Sequence, residues 1–426
     1  MKITLVHGRY FNSWEALGLG YIGAYLRSHL PGVELNFFQG CFDSDDDILA
    51  GSVDSDIVAF SCTAPTLASS RAIAGALKQW NPDVWTVVGG YHCSADPRPL
   101  PEFDCIVVGE GEAAMLEIAH GRRAPLIYGR PMSFQELPWP DRHLIRNERN
   151  IQVACQDNAI RITSFQSHRA CPFRCKYCLD GFNKVLYPNE RKAPMRYRDP
   201  ADIVAELADA TRTWRLDLVK FSDPTWNTDI RWVREFCAEK IRRRVDVPFY
   251  PNIHATLTSP EMMRDMRRAG CTQIAVGVES GSPKILRQIG KGTTVSSIRN
   301  CVRWAKDAGI AVRAYFILGM PEETVADLEL TEQFADELDV DEYGFTILCP
   351  YPGTQMYDPR VHEPLLNRMT DEYSNDFWET NSVSNTELRQ WQRRLTAKFA
   401  DRLTWHNRAV QDHPIVVTGE PHCVTH

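Results

Sequence analysis

Short apolar runs of β-forming residues alternate with amphipathic helical stretches along most of this chain, and they do so in two series. The first holds KITLV (2–6), VELNFF (33–38), DIVAFS (56–61), VWTVVGG (84–90) and DCIVVGEGE (104–112), separated by stretches such as LGLGYIGAYLRSHL and TLASSRAIAGALKQW. Apolar runs of that length between helices predict parallel strands buried on both faces, so residues 1–120 read as a Rossmann-like, doubly wound α/β domain. Ligands of such sheets sit at the carboxyl ends of the strands, here SCTAP (61–65), GGYHC (89–93) and GEGE (109–112). Gly89, Gly90 and Gly109 let a ligand come close to the backbone. Taken alone, each of these turns is equally an ordinary feature of the fold.

Residues 121–155 lose the rhythm and carry Pro125, Pro131, Pro138 and Pro140, which reads as a linker. The second series then runs through RITSFQS (161–167), LDLVKFSD (216–223), VPFYPNIHA (247–255), TQIAVGVES (272–280), IAVRAYFILG (310–319) and EYGFTILCP (342–350). Asp199 with Pro200 and Ser259 with Pro260 open helices, and Gly270 and Gly309 close two others. Six βα units in a row over 156–355 fit an open or partial barrel better than a flat doubly wound sheet, a choice that periodicity alone does not decide, and in either case function is expected at the carboxyl ends of the strands. Residues 356–426 form a mainly helical region, where Ser384 and Glu387 spell a capping box ahead of an apolar stripe at Leu388, Trp391, Leu395 and Leu403.

Bulk composition narrows the function classes. A chain of 426 residues, 43% hydrophobic, can bury the cores of two or more domains. Its net charge of -7 gives no field that would draw a nucleic-acid backbone. No apolar stretch is long enough to span a membrane and no secretion signal opens the sequence, so thirteen cysteines are expected to be reduced thiols of a cytoplasmic protein.

Three of those cysteines stand together in RACPFRCKYCLDG (169–181), just after the first strand of the second series. His168 with Cys171, Cys175 and Cys178 could close a structural zinc tetrahedron. Three thiolates without a fourth instead suit a 4Fe-4S cluster with one iron left open. In that case the missing ligand is the functional feature.

Cys171, Cys175 and Cys178, with Tyr177 before the third, resemble the CxxxCxΦC signature of the radical SAM superfamily. FSDPTWN (221–227) is similar to the family's strand-two motif, GVESGSPKILRQIGKG (277–292) to its strand-four ribose motif, and YFILGMPEET (315–324) and PYPGT (350–354) to later strands of the branch with an N-terminal cobalamin-binding domain. LGLGYIGAYLR, VVGGYH and VVGEGE resemble that branch as well.

The resemblance implies three cofactors: a 4Fe-4S cluster on the three cysteines, S-adenosyl-L-methionine (SAM) on its open iron, and cobalamin in the first domain. Reductive cleavage of SAM would give a 5'-deoxyadenosyl radical, fed by a low-potential donor such as flavodoxin or ferredoxin. SAM would be held by Ser222 and Asp223 at its amino group and by Glu279 at its ribose, with Tyr177, Ser280 and Arg313 nearby. Arg313 is equally read as a structural ion pair. Cobalamin would lie against Ser61, Thr63, Gly89, Gly90, His92, Gly109 and Glu110, with no D-x-H-x-x-G motif to supply an axial histidine. The implied activity is a cobalamin-dependent methyltransferase acting on an unactivated carbon of a small-molecule, lipid or peptide acceptor. Radical cyclisation or rearrangement is the alternative.

Overall fold

The protein is described here by a computed structural model covering residues 1–10, 15–179, 195–360, 375–404 and 407. Its first sheet has six parallel strands: β1 (Lys2–His7), β2 (Glu34–Gln39), β3 (Ile57–Ser61), β4 (Trp85–Gly89), β5 (Cys105–Val108) and β6 (Leu126–Tyr128), in the order β2-β1-β3-β4-β5-β6. Both faces are covered. Ile3, Leu5, Ile57, Ala59 and Val107 pack with helices Leu17–His29 and Gly111–Ala119 on one side. On the other, Val6, Val58, Phe60 and Val88 pack with helix Leu67–Trp80. The strand order reverses beside β1, so the crevice for a ligand lies beyond the carboxyl ends of β1 and β3.

Residues 121–155, expected to be a linker, contribute regular structure. They add β6, parallel to β5, and most of helix Asn147–Asn158. A three-residue strand is too short to show a period. Gly129 then packs so closely on Glu110 that a Cβ would lie 1.8 Å from its carbonyl oxygen.

The second sheet is a partial (β/α)6 barrel of β7 (Ile162–Phe165), β10 (Leu218–Phe221), β11 (Phe249–Ile253), β12 (Gln273–Glu279), β13 (Ala311–Leu318) and β14 (Glu342–Ile347), all parallel and neighbours in chain order. Between β7 and β10, a two-stranded antiparallel pair, β8 (His168–Arg169) and β9 (Arg196–Tyr197), forms a neck from which the cysteine loop emerges. Val312, Ala314, Phe316 and Leu318 of β13 face the helical layer and belong to the main core, while Arg313, Tyr315 and Ile317 alternate with them and are half-buried on the inner side. Asp199 caps helix Pro200–Trp214 and Ser259 caps helix Pro260–Arg268, each ahead of a proline at the first helical position, as their sequences predict.

Both edges of the open barrel are sealed by polar groups from elsewhere in the chain. On β7, Ser164 N donates to Glu15 Oε2 (2.7 Å) and its carbonyl accepts from Arg142 Nη2 (2.9 Å). On β14, Tyr343 O accepts from Thr404 N (2.8 Å), and Phe345 bonds through both N (3.1 Å) and O (2.8 Å) to the Asn407 side chain. The expected C-terminal helix spans Asn385–Lys398 with its Ser384/Glu387 capping box in place, and Leu388, Leu395, Phe399 and Leu403 join the barrel core. Trp391 is only partly buried at its margin. Residues 361–374, 405–406 and 408–426 of the region expected to be mainly helical lie outside the described residues.

Candidate active site between the two sheets

Asp223, at the end of β10, builds the entry to the cysteine loop. Its Oδ1 accepts from the backbone N–H groups of Ser167 and His168 (both 2.9 Å), and its Oδ2 accepts from Ser167 Oγ (3.0 Å). The carboxylate is fully buried and spent on the chain itself, so it is not presented to the amino group of SAM as its sequence position suggested. His168 is equally withdrawn: fully buried, its Nδ1 lies 3.3 Å from Asp223 Oδ1, and burial lowers its pKa. Among the described residues no three His, Cys, Asp or Glu side chains converge on one point as a single ion requires. A cluster asks something different, since each of its cysteines binds its own iron.

The loop is pinned across the carboxyl ends of three strands. Cys171 Sγ lies 3.7 Å from Thr225 Oγ1 beyond β10. Phe173 stacks on His254 beyond β11, with ring centroids 3.9 Å apart and planes 4° from parallel. Lys176 N donates to Ile289 O (2.9 Å) beyond β12, and Lys176 O accepts from Gln355 N (3.0 Å). His254 Nδ1 accepts from Thr256 N while its Nε2 faces Lys291 O, the pattern of a neutral ring. Burial, helped by the Lys291 charge, lowers its pKa to about 4. Burial likewise pushes the Cys175 thiol up to about 11, against the pull of Lys291, so its deprotonation would accompany metal binding.

Glu279 meets the loop from the end of β12. Its Oε1 accepts from Tyr177 Oη (2.8 Å) and from Lys291 Nζ (2.5 Å), and Lys291 also donates to Gly277 O (2.6 Å). The strand bulges between Gly277 and Glu279, and Glu279 holds a left-handed backbone, φ 67°. A non-glycine residue kept there costs on the order of 1 kcal/mol or more, a strain that clusters at functional positions. A Cβ on Gly277 would come within 2.3 Å of the Lys291 ammonium, so glycine is what admits the lysine.

The remaining expected SAM residues do not join this group. Ser280 Oγ bonds Thr331 Oγ1 (3.0 Å) and Ser282 N (3.1 Å) within the outer layer. Ser222 Oγ donates to Phe165 O (3.1 Å) from an exposed position beside the site. Arg313 sits near the amino ends of the strands, paired with Glu342 (2.7 Å) and 5.5 Å from the Tyr250 ring, which is the structural ion pair.

At the carboxyl edge of the first sheet, Ser61, Thr63, Gly89 and Gly109 are half-buried, and His92 is buried with Nδ1 unpaired. Burial lowers the His92 pKa. Gly90 serves the fold: at φ 98°, a Cβ would lie 2.5 Å from Cys62 O. Glu110 also departs from its expected part. Its carboxylate accepts from Arg169 Nη1 (2.7 Å), from Arg196 and from Met132 N (2.8 Å), while Arg169 Nη2 also binds Glu112 Oε1 (2.5 Å). These contacts bring the carboxyl end of the first sheet against the neck of the cysteine loop.

The B12 binding domain model matches residues 3–119, and the Radical SAM superfamily model matches residues 165–335. The chain carries a B12 binding domain followed by a Radical SAM superfamily domain. It is 27% identical over 375 residues to an uncharacterized methyltransferase of Pyrococcus horikoshii, covering 83% of this chain and 80% of that one. It is 24% identical to an anaerobic magnesium-protoporphyrin IX monomethyl ester cyclase of Rubrivivax gelatinosus, covering 84% and 69%. Among solved structures it is similar to the radical S-adenosylmethionine methyltransferase TsrM of Kitasatospora setae with cobalamin and a [4Fe-4S] cluster bound, at TM-score 0.66, 19% identity and coverage of 85% and 78%. The last is a likeness of fold.

Lys291 and the Arg169 network escape a reading of the radical SAM motifs by sequence. Lys291 lies inside the GKG of the strand-four stretch, where a lysine between glycines looks like a solvated turn. Arg169 and Glu112 each belong to a quoted motif, but their pairing crosses 57 positions and leaves no local pattern.

Proposed function

We propose that the chain is a cobalamin-dependent radical SAM methyltransferase acting on an unactivated carbon. The observation that carries this reading is the apposition of the two carboxyl edges through Glu110, Glu112, Arg169 and Arg196. The carboxyl edge of the first sheet, which would take cobalamin, thereby lies against the loop carrying Cys171, Cys175 and Cys178, so one substrate could meet both.

The donor sets fit the three groups. Cys171, Cys175 and Cys178 would hold the cluster, on a loop already ordered by Asp223, His254 and Glu279. Glu279 would keep Oε2 for a ribose hydroxyl, because Oε1 is taken by Tyr177 and Lys291. Ser61, Thr63, Gly89, Gly109 and the unpaired Nδ1 of His92 would face cobalamin with small and hydrogen-bonding groups. When bound, the cluster supplies the electron that cleaves SAM, and cobalamin supplies the methyl group. The acceptor is a small molecule, lipid or peptide, and the electron comes from a flavodoxin- or ferredoxin-like donor. The resemblance to a cyclase supports radical cyclisation as a second reading with the same cofactors.

Anaerobic reconstitution tests the proposal. A brown protein with about four irons per chain, binding one hydroxocobalamin, is expected. With methyl-labelled SAM and an accepted substrate, 5'-deoxyadenosine, S-adenosylhomocysteine and labelled product should form together. A product carrying no label in the presence of both cofactors would point to the cyclase reading.

A further inference from the structure

The contact between the two sheets is ionic where an apolar one would serve. Arg169 has 12% of its side chain exposed, Glu110 15% and Glu112 3%. Among the described residues Arg196 joins them, giving two guanidiniums and two carboxylates. The Arg169 guanidinium also lies over the Tyr21 ring (5.3 Å) and the Phe134 ring (5.5 Å), both from the first part of the chain. Desolvating such a set costs about as much as its attraction returns, and apolar replacements of the same shape are often as stable. What a bidentate, desolvated network adds over an apolar contact is a defined geometry.

The geometry it defines is specific. Arg169 and Arg196 face each other across the β8–β9 neck through which the cysteine loop leaves and returns. Glu110 and Glu112 follow β5, on the edge where the first sheet takes its ligand. Between Arg169 and Cys171, Ala170 holds φ 74°, a left-handed turn that alanine rarely adopts. That turn sends the two flanking side chains in different directions, Arg169 to the first sheet and Cys171 toward Thr225.

We propose that Arg169, Arg196, Glu110 and Glu112 form a positioning latch that fixes the cysteine loop against the ligand edge of the first sheet, and thereby sets the separation and orientation of the two cofactor sites. Arg169 acts through the loop it holds and touches neither reacting group. The inference rests on the proposed cofactors for its purpose, though the latch itself can be read without them.

The test uses full-length protein and the variants Arg169→Met and Glu112→Gln. In apoprotein, amide hydrogen exchange is followed at residues 105–112 and 168–178. The latch predicts faster exchange in both segments together in either variant, beyond any change across the remaining amides, with an unfolding midpoint that falls, most in Arg169→Met, which leaves the Glu112 carboxylate buried and unpaired. Faster exchange in one segment alone, or loss of the whole fold in both variants, overturns it. In protein loaded with iron, sulfide and hydroxocobalamin and then reduced, the variants should keep the parent's cofactor content. The paramagnetic enhancement of cob(II)alamin relaxation by the reduced cluster should be lost. Parental enhancement in both variants would refute the positioning role. A parent that takes up no hydroxocobalamin counts against the proposed function instead, and the exchange result still decides the latch.

Discussion

Glu279 shows how a residue can do more than its position announces. The sequence places it at the end of a strand beside a glycine, as a ribose acceptor; the structure adds that half of its carboxylate holds Tyr177 and Lys291. Glu279→Gln keeps the shape and loses the charge. SAM affinity by calorimetry should fall about tenfold or more at unchanged iron content. Alanine at Cys171, Cys175 or Cys178 should remove iron and abolish SAM cleavage while expression persists, since the loop is held by neighbours rather than by its thiols. Gly90→Val, which by sequence looks like a probe of cobalamin binding alone, should instead lower the unfolding midpoint of the whole chain, because the new side chain meets the Cys62 backbone. Asp223 and Arg313 were equally visible as charges near strands. Their partners were not: Ser167 lies 56 positions from Asp223 and Glu342 29 from Arg313, and pairings over such distances are decided by the fold.

At the scale of elements, strands and helices were legible because each carries its own period or cap, and what was missed was short or joined over long range. β6 has three residues, and β8 and β9 have two each, too few for a pattern. The turn after β13 is a further example. Glu323 is fully buried, accepts from Gly319 N (2.5 Å) and Met320 N (3.3 Å), and leaves Oε1 unpaired. Burial raises its pKa to about 8. A carboxyl whose folded pKa is raised stabilises the fold fully below its unfolded pKa of 4.5, and that contribution is lost as pH rises through about 8. Chemical unfolding should therefore show stability declining by a few kcal/mol between these values, on the general scale of a large pKa shift. Glu323→Gln should flatten that decline. The same turn is clamped from the C-terminal region, where Trp378 Nε1 donates to Gly319 O (2.5 Å) and Thr380 and Ser382 donate to Glu323 O. Leu388 packs there without exposure, so Leu388→Ala should cost about 2–5 kcal/mol by the usual price of a buried cavity, read from denaturant midpoints.

For the whole molecule, the sequence announced two α/β units and left open how they meet. Their meeting is made of side chains far apart in the chain: Glu15 with Thr163 and Ser164, Arg142 with Glu206, Arg169 with Glu110. A fragment lacking residues 1–120 would keep every strand of the barrel yet leave Ser164 N and the Arg169 guanidinium without these partners. It should elute from size exclusion as aggregate, where the full chain elutes as a discrete species.

The two sealed edges of the barrel also differ in when they can be sealed during synthesis. Glu15 precedes β7 and Arg142 lies just ahead of it, so the stopper for that edge has left the ribosome before the strand it serves. Thr404 and Asn407 follow β14 by more than fifty positions, and helix Asn385–Lys398 comes between. Translation at about 5–20 residues per second leaves the bare β14 edge exposed for seconds in every nascent chain. The late edge, with Tyr343 and Phe345 on it, is where a nascent-chain chaperone would be needed, and slow codons between β14 and the terminal helix would lengthen the hazard.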